Sequence, residues 1–137
     1  MKIMFYLGAF FALLSIENVN AAPSEDEILR MFIPSDISLV KDGGKYSFQS
    51  DQAVPFYTFD DDDPGVSNCL DVCAETWWPV RAKRVDARAE GPWTLIERDD
   101  GRPQWAYKGQ PIYYYLHDKA GTKAGDGIDG KWHVLKP

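Results

Sequence analysis

The run Tyr57-Thr58-Phe59-Asp60-Asp61-Asp62 returns 56 positions later as Tyr113-Tyr114-Tyr115-Leu116-His117-Asp118, so a chain of 137 residues carries Tyr-x-aromatic-x-x-Asp twice. A duplicated unit is a statement about architecture, and it is settled before any single motif is given a role. The offset extends beyond the motif: Leu39-Val40-Lys41 maps onto Leu95-Ile96-Glu97, Pro55 onto Pro111 and Gly65 onto Gly121. Between these anchors the phase slips by three residues and recovers, so that Tyr46-Ser47-Phe48 aligns best with Trp105-Ala106-Tyr107. A slip that cancels is what two loops of different length produce.

Each unit reads as strands. Ile37 to Lys41 and Trp93 to Glu97 alternate apolar and polar residues, the pattern of a half-buried strand. The Asp-Gly turn signals that follow, and then Tyr46-Ser47-Phe48 or Trp105-Ala106-Tyr107, predict a hairpin in each unit. Phe56 to Phe59 and Ile112 to Leu116 supply a third strand. The expectation is a mainly β fold: two duplicated three-stranded antiparallel units, about residues 36–80 and 92–135, packed into one small domain. The basic, apolar-poor stretch 81–91 is the exposed connection between them. Two short helices are expected outside the repeat. Ser24-Glu25-Asp26-Glu27 has the form of a capping box opening a helix over 25–32, stopped before Pro34. A second helix, over 68–76, carries both cysteines with Asn68 as its cap.

The N-terminus runs from Lys2 through an apolar stretch, Ile3 to Ile16, to the small residues Ala21 and Ala22, as a secretory signal peptide does. Val19 and Ala21 suit a cut after Ala21, with Ala22 as the fallback. The apolar stretch is shorter than the roughly 20 residues a membrane-spanning helix needs. Residues 22–137 are then expected to form a single soluble domain, periplasmic or secreted, with no membrane span. The cut removes one lysine and one glutamate, so the net charge stays at −6. Such a balance argues against non-specific binding to nucleic acid or anionic membrane and favours cationic partners.

The candidate chemistry is sparse. Cys69 and Cys73 would sit in an oxidising compartment, where a disulfide is the leading reading. Free thiols or a metal pair are the alternatives, and a spacing of four needs the two side-chain vectors to converge. A haem attachment would need Cys-x-x-Cys-His, which is not present. In the motif, a period of two places Tyr57 and Phe59 on one face, and Tyr113 and Tyr115 on the equivalent face. These rings either pack as core and cross-strand pairs or offer a platform for a planar or sugar-like ligand. Asp62 and Asp118 fall beyond the strands, where they suit the capping of turn amides ahead of Gly65 and Gly121. The run Asp60 to Asp63 is a solvated acidic turn or a weak calcium site. Asp60, Asp62 and Gly65 match positions of a calcium loop, while Pro64 and Asp71 break the match. Asp126 and Asp129 admit the same two readings. His117 and His133 are the only histidines; they are surface or hydrogen-bonded groups or, with Met or Cys, copper or zinc ligands. No Gly-x-Ser-x-Gly, His-Glu-x-x-His or Gly-rich phosphate loop is present, and no cofactor is established.

Phe56-Tyr57-Thr58-Phe59-Asp60, Pro64-Gly65-Val66-Ser67-Asn68-Cys69, Cys73-Ala74-Glu75-Thr76-Trp77-Trp78-Pro79, Asp100-Gly101-Arg102-Pro103-Gln104-Trp105-Ala106-Tyr107-Lys108-Gly109 and Trp132-His133-Val134 carry a resemblance. Together they resemble the bacterial secreted-repeat lipoprotein family, with its Tyr-x-(Phe/Trp/Tyr)-x-x-Asp motif, over about residues 37–137. The resemblance implies an exported bacterial protein from a group without an established biochemical activity. Many relatives are lipoproteins, whereas no cysteine follows this leader, so a soluble location is expected here. The Trp77-Trp78 pair also replaces the family's more usual single Trp before proline. Two functions follow as expectations. One is a non-catalytic periplasmic binding or accessory module that contacts a small ligand, a cation or an envelope protein. The other is an envelope redox or metal-handling protein using Cys69, Cys73, His117 and His133.

Overall fold

The computed structural model describes residues 21–137; the predicted leader, up to its last residue, lies outside the described residues. What is described is mainly β, with three small antiparallel sheets and two short helices. The first helix, α1 (Glu25–Met31), opens on the expected capping box. The Glu27 amide donates to Ser24 Oγ at 3.3 Å, and the Glu27 carboxylate accepts the Ser24 amide at 2.8 Å. Two orphan amides of the first turn are thereby satisfied.

The hairpins form where the alternation places them. In the first unit β1 (Ser38–Asp42) pairs with β2 (Lys45–Gln49) across Gly43 and Gly44, both at positive φ. In the second, β5 (Trp93–Ile96) pairs with β6 (Gln104–Tyr107). Leu39 lies opposite Phe48, and Trp93 opposite Tyr107. With Phe48 and Tyr107 as equivalents, Leu39 therefore corresponds to Trp93, two residues from its sequence match at Leu95. A shift of two leaves every side chain on its original face, which is why the apolar pattern tolerates it.

Each third strand is shared between sheets. The residues just ahead of the expected strands join their own hairpin: Pro55 bridges to Gln49, and β7 (Gln110–Pro111) pairs with β6. The residues that follow cross over. The motif strands β3 (Tyr57–Phe59) and β8 (Tyr113–Tyr115) pair with each other at Tyr57 and Tyr113, in the middle of a four-stranded sheet. Its edges are β4 (Trp77–Pro79), which ends the first unit and pairs with β8, and β9 (Trp132–Val134), which ends the second and pairs with β3. Every neighbour of a motif strand in this sheet thus comes from the other unit. The contacts repeat about a pseudo-two-fold axis: Val80 N–H donates to the Ile112 carbonyl at 3.0 Å, and Leu135 N–H to the Phe56 carbonyl at 2.8 Å. Isolated hairpins are marginal in water, and the exchange gives both of them a common sheet to pack on.

The sheet separates two apolar clusters. One holds Phe48, Phe56, Val80, Trp93, Trp105, Tyr107, Ile112 and Leu135, so it joins both hairpins to the central sheet. The other holds Tyr57, Cys69, Trp77, Tyr113, Trp132 and Val134. The second helix, α2 (Val72–Thr76), is shorter than the expected 68–76, and Asn68 does not cap it. Asn68 instead donates through its side chain to the Asp61 carbonyl at 2.7 Å and Asp63 Oδ2 at 3.1 Å. Tied to the acidic turn in this way, residues 68–71 follow that turn rather than a helix. No helix among the described residues is long and apolar enough to cross a membrane.

Candidate functional site

The two copies of the motif hold each other. The Tyr57 hydroxyl donates to the Asp118 carboxylate, and the Tyr113 hydroxyl donates to Asp62 Oδ2 at 2.7 Å. The second oxygen of each aspartate accepts a turn amide six residues further on, Asn68 N–H on Asp62 and Ala124 N–H on Asp118, each at 2.7 Å. The turns also cross over: Gly65 N–H donates to the Gly109 carbonyl at 2.7 Å, and Gly121 N–H to the Ala53 carbonyl at 3.0 Å. Burial pushes both hydroxyls well above the ordinary tyrosine range, and the carboxylate acceptors push the same way. Burial likewise raises Asp62, against the hydrogen bonds from Tyr113 and Asn68 and the charge of Arg98.

Above this clasp the aromatic rings form a column. Phe59 stacks on Trp132 with centroids 4.3 Å apart, Trp132 stacks on Trp77 at 3.7 Å, and Trp77 meets Tyr115 at 4.6 Å. Tyr57 and Tyr113 pack edge-on beneath, each 5.3 Å from a tryptophan. Such contacts add to the area these rings bury. Tyr57, Tyr113, Trp77 and Trp132 are buried; Phe59 and Tyr115 are half-buried and line an open cleft of about 590 Å³. Gly125 closes the column, since a Cβ there would stand 2.8 Å from Trp77 Cη2 and 3.0 Å from Tyr115 Cβ.

The remaining candidates are dispersed. Cys69 and Cys73 are at disulfide distance, with sulfurs 1.98 Å apart and Cys69 fully buried. The carboxylates of the acidic run diverge: Asp60 meets His133 Nε2 at 2.8 Å, Asp61 pairs with Lys131, Asp62 takes Tyr113, and Asp63 takes Asn68. His117 packs edge-on against Tyr115 at 5.3 Å. Asp126 Oδ1 accepts Val134 N–H at 3.1 Å, and Asp129 stands at the rim of the aromatic cleft. Among the described residues no three His, Cys, Asp or Glu side chains are grouped as metal ligands. Arg98 is a residue that sequence reasoning passed over. Its guanidinium donates to Ser67 Oγ at 2.7 Å, Gln104 Oε1 at 2.9 Å and the Cys69 carbonyl at 2.9 Å, tying the second hairpin to the cysteine turn of the first unit. Nothing in its local sequence distinguishes it from a loop arginine.

The pseudo-two-fold axis also creates a pair of equivalent surface clefts. In one, of about 250 Å³, Phe59, Asp60, Asp62 and Asp63 face the loop before Pro111, including Lys108. In the other, of about 340 Å³, Tyr115, Leu116 and Asp118 face the loop before Pro55. The edge strands differ in the same sense, for His133 lies opposite Thr58, whereas Trp78 lies opposite Tyr114. Trp78 is 49% exposed, and its indole N–H donates to the Glu75 carbonyl at 2.9 Å, which fixes the ring in place. One cleft is therefore acidic, and its twin carries Trp78, Tyr114 and Leu116 together.

Residues 94–136 match the sequence profile of a family described as a secreted repeat of unknown function. The matched segment spans most of β5 and everything to the end of β9, so it contains one motif strand and one edge strand but neither of their partners in the central sheet. No curated protein and no solved structure matches the chain.

Proposed function

We propose that the protein is an exported, non-catalytic binding module of the bacterial envelope, and that it binds through the cleft of Trp78, Tyr114 and Leu116. The observation that carries this reading is the exposure of a pinned indole and a leucine where the other side of the sheet has His133 on the edge strand and Asp60 beside it. The motif itself is occupied in holding the two units together, so the part free to serve a partner is the surface where the copies have diverged. Exposed apolar side chains gathered on one face are the usual mark of an interaction site. A secreted family is consistent with a periplasmic or extracellular setting.

The indole N–H resonance of Trp78 tests the reading. Titration with a soluble oligosaccharide, an apolar peptide and a detergent micelle is expected to move that resonance with at least one probe, while the buried Trp132 resonance stays in place. A Trp78 signal unmoved by all three contradicts the assignment.

A further inference from the structure

We infer that the ligand of this cleft is a neutral saccharide, an inference that rests on the binding reading above and narrows it. The floor is the exposed Trp78 ring beside its cross-strand neighbour Tyr114, which packs from below on Phe56 with centroids 5.4 Å apart. Two fixed aromatic surfaces suit the flat, C–H-bearing face of a pyranose ring, because both bodies are apolar and rigid and little entropy is lost on contact.

The wall across from the rings is polar and equally fixed. Ser50 Oγ accepts the amides of Gln52 and Val54, both at 3.2 Å, and the Ser50 amide donates to the Val54 carbonyl at 2.9 Å. The Gly121 amide holds the Ala53 carbonyl from the other unit. This loop presents the Gln52 amide and an ion pair, Lys83 Nζ to Asp51 Oδ2 at 3.0 Å. The two charges of that pair cancel, and the cleft's remaining carboxylate, Asp118, has its oxygens taken by the Tyr57 and Thr122 hydroxyls and the Ala124 amide, so no free charge is left to select an ionic ligand. It nevertheless offers donors and acceptors side by side, which is what ring hydroxyls use.

The apolar side chains of a peptide segment would cover the same rings but would desolvate Gln52 and the Asp51–Lys83 pair without returning their hydrogen bonds, which is unfavourable for each polar group left buried and unpaired. A saccharide satisfies both surfaces. The twin cleft makes the contrast, because there Asp60, Asp62 and Asp63 gather with only Lys108 facing them.

The test follows the indole and side-chain amide resonances of the whole exported chain during titration with tetrasaccharides of glucose and of N-acetylglucosamine, up to about 10 mM, since exposed aromatic sites bind weakly. The inference expects saturable shifts at Trp78 and Gln52 with at least one tetrasaccharide. Trp78→Ala should weaken binding about tenfold or more, the equivalent of about 1.4 kcal/mol. Trp78→His, which installs the residue found at the equivalent place on the other edge strand, should do the same. Both variants should keep the wild-type melting temperature, because the ring is half exposed. No shift with either sugar overturns the inference, as does binding that survives both substitutions. If the apolar peptide or the micelle moves Trp78 while the sugars do not, the saccharide falls and the binding face stands. If no probe moves Trp78, both fall.

Discussion

The two units agree inside and disagree outside. The contacts of the motif and its turns across the pseudo-two-fold axis come in pairs: Tyr57 with Asp118 and Tyr113 with Asp62, Gly65 with Gly109 and Gly121 with Ala53. Away from the axis the pairs part company. Where the first unit has a disulfide-stapled helical turn at Cys69 to Thr76, the second has Gly125 and a 3-10 turn at Ile128–Gly130. Where the first edge strand shows Trp78, the second shows His133. The difference teaches that duplication holds most firmly the residues of the clasp, whose partner lies in the other copy, since a change in one strands its opposite number.

Separation of the units is the harshest way to break this comparison. Residues 22–91 and 92–137, produced apart, should each lack a cooperative unfolding transition, because both motif strands would lose all their neighbours in the central sheet; mixing the two should restore it. Circular dichroism during thermal melting checks this, and a folded fragment on its own would show that the units are independent. Next in size is Gly125→Ala, at the position matching Cys69. The added methyl must displace Trp77 or Tyr115, and the expected loss is about 1–3 kcal/mol by denaturant titration. Removal of the disulfide as the Cys69→Ala, Cys73→Ala pair should cost about 2 kcal/mol, the low end for so short a loop. Thiol titration with and without reductant checks the redox alternative, which an unreactive disulfide that matters only for stability contradicts.

The smallest effect is a matter of pH. Tyr57 and Tyr113 hold their protons more tightly in the fold than in the unfolded chain, whose tyrosines ionise near pH 10. The stability they contribute is complete below about pH 10 and is lost as the pH rises through the higher folded values. Ultraviolet titration should therefore find both phenols silent above pH 10 until the fold opens. Early ionisation of either would mean that its clasp is open to solvent.

Much of this was legible in the residues. The offset of 56, the hairpins and the capping box at Ser24 are local patterns, and local patterns specify local structure. The exchange of strands was not legible, because a three-residue strand such as Tyr57–Phe59 reads the same whether its neighbours come from its own hairpin or from the other unit. Asn68 misled for a related reason. An asparagine ahead of a short apolar run looks like a helix cap, and only the fold brings the acidic turn close enough to take it. For the proposed binding face, the doubled Trp77-Trp78 was the available sign, since one of two adjacent residues on a strand must face away from the core.

The claim on which all this rests is that each motif tyrosine is held by the aspartate of the other motif, and a double-mutant cycle measures it directly. Denaturant unfolding of Tyr57→Phe, Asp118→Asn and the double variant should give a coupling energy of about 1.5–3 kcal/mol, as for a buried hydrogen bond to a charged group. The cycle of Tyr57→Phe with Asp62→Asn, the aspartate of its own motif, should give a coupling within about 0.5 kcal/mol of zero. If Tyr57 instead couples to Asp62 and not to Asp118, each motif closes on itself and the interlocked pair described here is wrong.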